Sequence, residues 1–142
     1  AEAVFDQTRI LVFRKRGPAV EELSDGDRAR SGDLLQLAYV STEKFGVILS
    51  LDGAGTISLH WPEAEGASAV LESRQRIPLP RAIELDAAPG FERIFLVTSE
   101  EPFETAIVRI AIETLSRNPD RAGDGELLLP RGLHQTSFLI RK

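Results

Sequence analysis

The sequence lacks cysteine altogether, which excludes a disulfide framework and any metal site that depends on thiolate ligands. Methionine is absent as well and the chain starts at Ala1, so we expect a processed product or a piece excised from a longer protein. No apolar run reaches the roughly 18 residues of a membrane-spanning helix. We therefore expect residues 1–142 to form a single soluble domain, for which this length is ample.

A surplus of positive charge is also missing. The chain has 17 Lys and Arg against 22 Asp and Glu, a net charge of -5, whereas proteins that bind nucleic acid cluster cations to neutralise phosphates. The one local basic run is Arg14, Lys15 and Arg16, and three adjacent cations are typical of a solvated strand edge that discourages aggregation. Nucleic acid is accordingly not an expected partner.

Most of the chain has the pattern of β-strands. Residues 34–41 alternate apolar and polar side chains, which predicts a half-buried strand. The clearest hairpin joins 45–51 to 56–61 across an Asp-Gly turn. Further strands are predicted at 9–13, 20–23, 74–79, 82–86, 92–98, 127–129 and 136–140.

A helical pattern replaces the alternation at 103–116, where apolar residues recur on one broad face after Pro102. The polar stretch at 118–125 is rich in helix and strand breakers and predicts a mobile loop. Seven to nine strands with one helix and short turns predict a mainly β fold. We expect an antiparallel β-sandwich of the immunoglobulin-like or jelly-roll-like kind rather than a doubly wound α/β sheet.

Candidates for catalysis or metal binding are few. Asp25, Asp27 and Asp33 offer oxygen ligands of the type that calcium prefers, but their spacing does not fit an EF-hand loop and nearby glycines favour turns. The only histidines, His60 and His134, lie far apart in the sequence and have no thiolate partners. No catalytic, cofactor-binding or metal-binding residue is predicted, and the protein is not expected to be an enzyme.

Four residues, Trp61, Glu84, Asp86 and Arg93, are predicted to form an interaction or structural cluster. Glu84 and Asp86 face the same side of one strand, where their proximity can raise a pKa and support acid–base chemistry. Arg93 can equally pair with one of them, and we favour this structural interpretation over a hydrolase built on the three. Trp61 is expected to close the core rather than to serve as a ligand platform. Ser50 lacks the flanking glycines of a nucleophile elbow.

Short motifs follow one another in a fixed order through the middle of the chain. They are an Asp-Gly and a Gly-Asp pair, a strand ending in an Asp-Gly hairpin, a proline after the next strand, and a Pro-Gly-x-Glu turn that leads into a strand. The segments are 23–27, 31–36, 45–55, 59–62, 77–79, 84–86 and 89–98. In this order and spacing the chain resembles the bacterial domain of unknown function numbered 4384, over about residues 9–103.

The resemblance implies a β-sandwich-like module without catalytic residues. Such a module is attached to other parts of a longer protein and often follows a membrane segment. Some of those proteins have a cytoplasmic end that resembles a zinc-finger anti-sigma factor. We therefore expect a non-enzymatic, periplasmic or extracytoplasmic sensor or protein-interaction domain of a bacterial regulatory membrane protein, with a protein partner and no cofactor. The alternative is an accessory module of a multidomain enzyme or large complex.

The chain beyond 103 lies outside that pattern. Its final predicted strand is a candidate for pairing with another chain by strand addition, with Arg131, Arg141 and Lys142 beside it.

Overall fold

The computed structural model describes residues 7–142, which form ten strands and one α-helix. The elements are β1 (Arg9–Arg16), β2 (Ala19–Leu23), β3 (Leu34–Val40), β4 (Phe45–Asp52), β5 (Ile57–Trp61), β6 (Ala69–Val70), β7 (Ile77–Pro78), β8 (Ile83–Glu84), β9 (Phe91–Ser99), α1 (Thr105–Ser116) and β10 (His134–Arg141). The fold is mainly β, as the sequence predicts, with ten strands where seven to nine are expected.

The strands form two antiparallel sheets. The first sheet has the order β2-β1-β3-β7, and β8 also pairs with β3. The second sheet has the order β10-β9-β4-β5, and β6 also pairs with β4. The two sheets pack face to face as a β-sandwich, and the predicted hairpin of β4 and β5 lies at one side of the second sheet.

Two apolar layers result from the alternation of side chains along the strands. The layer between the sheets includes Val12, Leu37 and Tyr39 of the first sheet and Ile48, Ile94, Leu96 and Phe138 of the second. The other face of the second sheet presents Val47, Leu49, Leu51, Phe95 and Val97 to the helix α1. Strands β4 and β9 are therefore buried on both faces, which explains their nearly continuous apolar sequence.

The helix covers the second sheet with one face. Val108, Ala111, Ile112 and Leu115 are its buried apolar residues, at the spacing of an amphipathic helix. It begins at Thr105 rather than at 103, because the backbone of Phe103 is engaged by Ser68: its N–H donates to Ser68 Oγ and its carbonyl accepts from the Ser68 N–H.

Three predicted strands are corrected. The segment 127–129 is not a strand, because the side-chain amide of Gln135 takes both backbone groups of Leu127 and no ladder forms. The predicted strands at 74–79 and 82–86 contract to the two-residue β7 and β8. At the start of the first, Arg74 has a φ of 59° and lies outside the strand region. The short strand β6 was not predicted.

The turns are built by the residues that the sequence suggests. Asp27 Oδ2 accepts a hydrogen bond from the Ser24 N–H at 2.8 Å, and Asp33 Oδ2 accepts one from the Arg30 N–H at 2.9 Å. Asp25 Oδ1 accepts from the Leu139 N–H at 2.6 Å. Asp27 and Asp33 therefore close turns, and Asp25 ties the loop between β2 and β3 to β10.

Candidate interaction surfaces

The outer face of the first sheet carries a shallow concavity of about 380 Å³. Side chains from β1, β2, β3 and β7 line it, together with Arg76 just before β7. Its lining includes Phe13, Lys15, Val20, Ala38, Arg76 and Pro78, and Leu34 lies beside it on the same face, paired with Lys15. We call this surface the open face, because no helix covers it in the described part of the chain.

Apolar side chains are unusually exposed on the open face. Val20 is 61% exposed and Leu34 is 44% exposed, and half-buried Phe13 packs beside a small buried cluster of Leu11, Ala38 and Val40. The solvated face of an antiparallel sheet normally carries polar residues. The apolar residues on this face therefore make it a candidate binding surface.

Cations border the same surface. The Arg76 guanidinium lies 5.4 Å from the centre of the Phe13 ring, in cation–π contact. Among residues 7–142, Lys15, Arg16 and Arg76 make no salt bridge with a carboxylate. Arg14 differs from its neighbours, because it is paired with Glu21 and its guanidinium lies 3.6 Å from Asp33. Of the basic run, Arg14 is therefore paired with a carboxylate, whereas Lys15 and Arg16 are not paired with one in the described part of the chain.

A buried polar network lies between the sheets, at the end where the apolar layer stops. Ser50 Oγ of β4 lies 2.7 Å from His60 Nε2 of β5 and 3.3 Å from Glu92 Oε1 of β9. Burial lowers the pKa of His60 to about 4 and raises the pKa of Glu92 to about 7. Lys142 opposes the rise, since its Nζ is 4.0 Å from Glu92 Oε2.

This network was missed at the level of sequence, because its members are brought together only by strand pairing. His60 enters it at a bulge, where the register of β4 and β5 shifts between Ile48 and Leu49. The available signal was a polar residue in an otherwise apolar strand, namely Ser50 within β4.

The network does not have the geometry of a hydrolytic triad. In a triad the carboxylate accepts a hydrogen bond from Nδ1 of the histidine and thereby orients the ring. Here Glu92 contacts Ser50 instead, and no carboxylate of residues 7–142 bonds to the His60 Nδ1. Ser50 is also only 1% exposed. The arrangement gives Ser50, His60 and Glu92 Oε1 hydrogen-bond partners, leaves the buried Glu92 Oε2 without one among the described residues, and offers no accessible nucleophile.

The four predicted cluster residues lie in different surroundings. Trp61 is half-buried against the layer between the sheets, as expected of a residue that closes the core, although its indole N–H finds no partner in the described chain. Glu84 is exposed on β8, whereas Asp86 binds Lys142, with Oδ1 2.9 Å from Nζ. That contact, together with a hydrogen bond from the Ala88 N–H, lowers the pKa of Asp86.

Arg93 is on the opposite face of the second sheet from Glu92, so the predicted pairing of Arg93 with Glu84 or Asp86 is wrong. Its Nη1 donates to the carbonyl of Ala122 at 3.2 Å and its Nη2 donates to Ser137 Oγ at 3.0 Å. The guanidinium also lies 4.5 Å from the centre of the Phe95 ring. Arg93 thereby anchors the segment 118–125, which folds as successive turns with Ala122 buried.

A second polar cluster fastens the start of β10. Glu43 Oε1 accepts hydrogen bonds from Thr98 Oγ1 at 2.7 Å and from His134 Nδ1 at 2.8 Å. The two histidines therefore lie in separate clusters. No three His, Asp or Glu side chains of residues 7–142 are grouped as a metal site would need.

The C-terminal part of the final strand, beside Arg141 and Lys142, is not an open edge, contrary to the prediction of strand addition there. The loop between β2 and β3 bonds to β10 through the Gly26 N–H to the Leu139 carbonyl at 2.7 Å and the Arg141 N–H to the Asp27 carbonyl at 2.9 Å. Lys142 is not available as a surface cation, since its side chain is only 8% exposed.

Within residues 7–142, no helix is both long enough and apolar enough to cross a membrane. The chain matches no family model, no curated protein and no solved structure.

Proposed function

We propose that this chain is a non-enzymatic protein-interaction domain that docks a partner on the open face of the first sheet. The observation that carries the proposal is the exposure of Val20 and Leu34 beside the unpaired cations Lys15 and Arg76. Covering apolar area contributes about 25 cal/mol per Å², so a partner that buries these side chains gains affinity from them.

The partner segment is expected to be apolar and acidic. Carboxylates placed among apolar side chains would meet Lys15 and Arg76 while the apolar groups cover Phe13 and Val20. Complementary charge of this kind mainly increases the association rate and the specificity of a complex. A second copy of the chain is a poorer occupant, because docking two open faces against each other would bring like cations together.

Two labelled peptides of about twelve residues test this surface, one alternating Asp with Leu and Phe, the other with Lys in place of each Asp. We expect only the acidic peptide to bind in fluorescence anisotropy, and to bind more weakly as salt rises, because salt screens exposed charges. The amide signals of β1, β2 and β3 should shift in NMR spectra on binding. Equal binding of the two peptides would contradict the proposal.

Two matched variants locate the binding surface. Val20→Glu places a carboxylate on the open face and is expected to weaken binding of the acidic peptide by about tenfold or more. Val70→Glu makes the same change at a valine that is 76% exposed on β6, away from the open face, and should leave binding unchanged. Equal losses in the two variants would exclude the open face.

We also propose that the domain belongs to a bacterial regulatory membrane protein and works outside the cytoplasm, as a sensor or interaction module. The resemblance to the domain of unknown function numbered 4384 supports this part of the proposal. A fusion of alkaline phosphatase to the C-terminus of the full coding sequence tests it, since that enzyme is active only outside the cytoplasm. An inactive but intact fusion would contradict the extracytoplasmic placement.

A further inference from the structure

The strand β5 has an unpaired outer edge. It pairs with β4 and with no other strand of the described chain. The Asp52 N–H donates to the Thr56 carbonyl at 3.0 Å. This bond determines which residue pairs of the hairpin are hydrogen-bonded and which are not, because the two kinds of pair alternate along antiparallel strands. Ser58 therefore directs its backbone groups toward Ser50, and Ile57 and Leu59 direct theirs away from β4. Two N–H groups and two carbonyls are thus presented at the edge.

The edges of β10 and β2 are covered in part or charged, whereas residues 57–59 of β5, which precede its bulge, are neither covered by the described chain nor charged. The C-terminal part of the β10 edge, at Leu139 and Arg141, is occupied by the loop that contains Gly26 and Asp27. The edge strand β2 carries Glu21 and Glu22, and charged residues on an edge discourage the addition of a strand. In contrast, β5 has the sequence Ile-Ser-Leu-His-Trp and carries no Lys, Arg, Asp or Glu.

We infer that β5 accepts an extended segment of a partner protein as an additional strand of the second sheet. Main-chain hydrogen bonds to Ile57 and Leu59 would provide the affinity, as in other cases of strand addition. This inference does not depend on the open face, which belongs to the other sheet.

The side chains that flank the edge define the partner's pattern. Ile57 and Leu59 pack into the apolar layer beneath α1, whereas Ser58 and His60 face the polar end of the layer between the sheets. An added strand continues both layers, so it needs apolar residues on the helix side alternating with polar, uncharged residues on the other.

A second copy of this chain is a less suitable occupant of the edge. Each copy has a net charge of -5, so the two chains repel each other, while a neutral segment does not.

Hydrogen exchange tests the inference directly, with an octapeptide of alternating valine and threonine as the probe. In the domain alone, the Ile57 and Leu59 amides should exchange rapidly and the Ser58 amide slowly. Peptide at about 1 mM should slow exchange at Ile57 and Leu59 by about tenfold or more and leave Ser58 unchanged. Absence of this protection at saturating peptide would overturn the inference.

A matched pair of variants separates the backbone contact from the side chain. Leu59→Pro removes the outward N–H without removing a bond to β4, whereas Leu59→Ala shortens the side chain and keeps the N–H. Protection of Ile57 by the peptide should be lost in the first variant and kept in the second, with circular dichroism confirming that both are folded. Equal behaviour of the two variants would overturn the inference. So would protection of Ile57 and Leu59 that rises with protein concentration in the absence of peptide, because it would identify a second copy as the occupant.

Discussion

The outer faces of both sheets carry apolar side chains, but only the outer face of the second sheet is covered by other parts of the described chain. On the second sheet, Val47, Leu49 and Phe95 are completely covered by α1 and the chain that follows it. On the first sheet, Val20 and Leu34 remain exposed beside cations. The comparison shows that the alternation of apolar residues along a strand indicates which side chains favour burial. They become buried only where another segment of the chain packs over them.

The helix-covered face should be the more sensitive of the two to loss of side-chain volume. Ile112→Ala removes a fully buried side chain from α1 and is expected to cost about 2–5 kcal/mol of unfolding free energy, because a cavity remains. Ile110→Ala on the same helix is the control, since Ile110 is 61% exposed and its loss should cost less than about 0.5 kcal/mol. Urea denaturation of both variants measures the difference. Similar losses would mean that α1 is not the cover of the second sheet.

The layer between the two sheets contains two titratable groups, Glu92 and His60, whose effects on stability oppose each other as pH changes. Glu92 has its pKa raised from 4.5 to about 7, so its contribution to stability is complete below pH 4.5 and is lost as pH rises through 7. His60 has its pKa lowered from 6.5 to about 4, so its contribution is complete above pH 6.5 and is lost as pH falls through 4. The opposing slopes leave the contribution of this pair nearly constant between pH 4.5 and 6.5.

Replacing one of the two residues should reveal the pH dependence of stability that is due to the other. In Glu92→Gln the remaining His60 makes stability rise with pH between about 4 and 6.5, and in His60→Gln the remaining Glu92 makes it fall between about 4.5 and 7. Allowing for partial solvent screening, each change amounts to about 1–2 kcal/mol. Urea midpoints measured across this range check the prediction. Parallel pH profiles for the two variants relative to the unaltered chain would show that this end of the layer is solvated.

Substitutions on the open face should change the free energy of unfolding least. Phe13→Ala removes a half-buried ring and its contact with Arg76, and we expect a loss of about 1 kcal/mol or less. Val20→Thr keeps the shape of an exposed side chain and should fall within about 0.5 kcal/mol of the unaltered chain. Thermal unfolding of the two variants checks both values. A loss in Phe13→Ala as large as that in Ile112→Ala would contradict the difference between the faces.

Local pattern was sufficient for the elements that bury one regular face or form a tight turn. The helix was predicted within two residues of its start, and the hairpin of β4 and β5 within one residue at each strand boundary. The pattern failed at 127–129, where the partner of the backbone is the side chain of Gln135 rather than another strand. Such a partner leaves no periodic trace in the sequence.

The candidate sites were predicted less well. Trp61 was correctly expected against the core. Arg93 was grouped with Glu84 and Asp86 because they are near in sequence, yet it faces the helix layer and binds Ala122 and Ser137. Adjacent residues on a strand face opposite sides, so the choice between Glu92 and Arg93 required knowledge of which layer each side of β9 meets.

By itself the sequence determined that the chain would be mainly β with one amphipathic helix, since alternation and helical spacing are local properties of side chains. It also indicated that Asp27 and Asp33 would form turns, whereas the bond of Asp25 to Leu139 of β10 depends on the tertiary structure. Only the tertiary structure decided which face α1 covers, which edge stays unpaired and which polar residues meet. These outcomes depend on the register and order of strands distant in the chain, and a shift of one residue would turn every side chain to the opposite face.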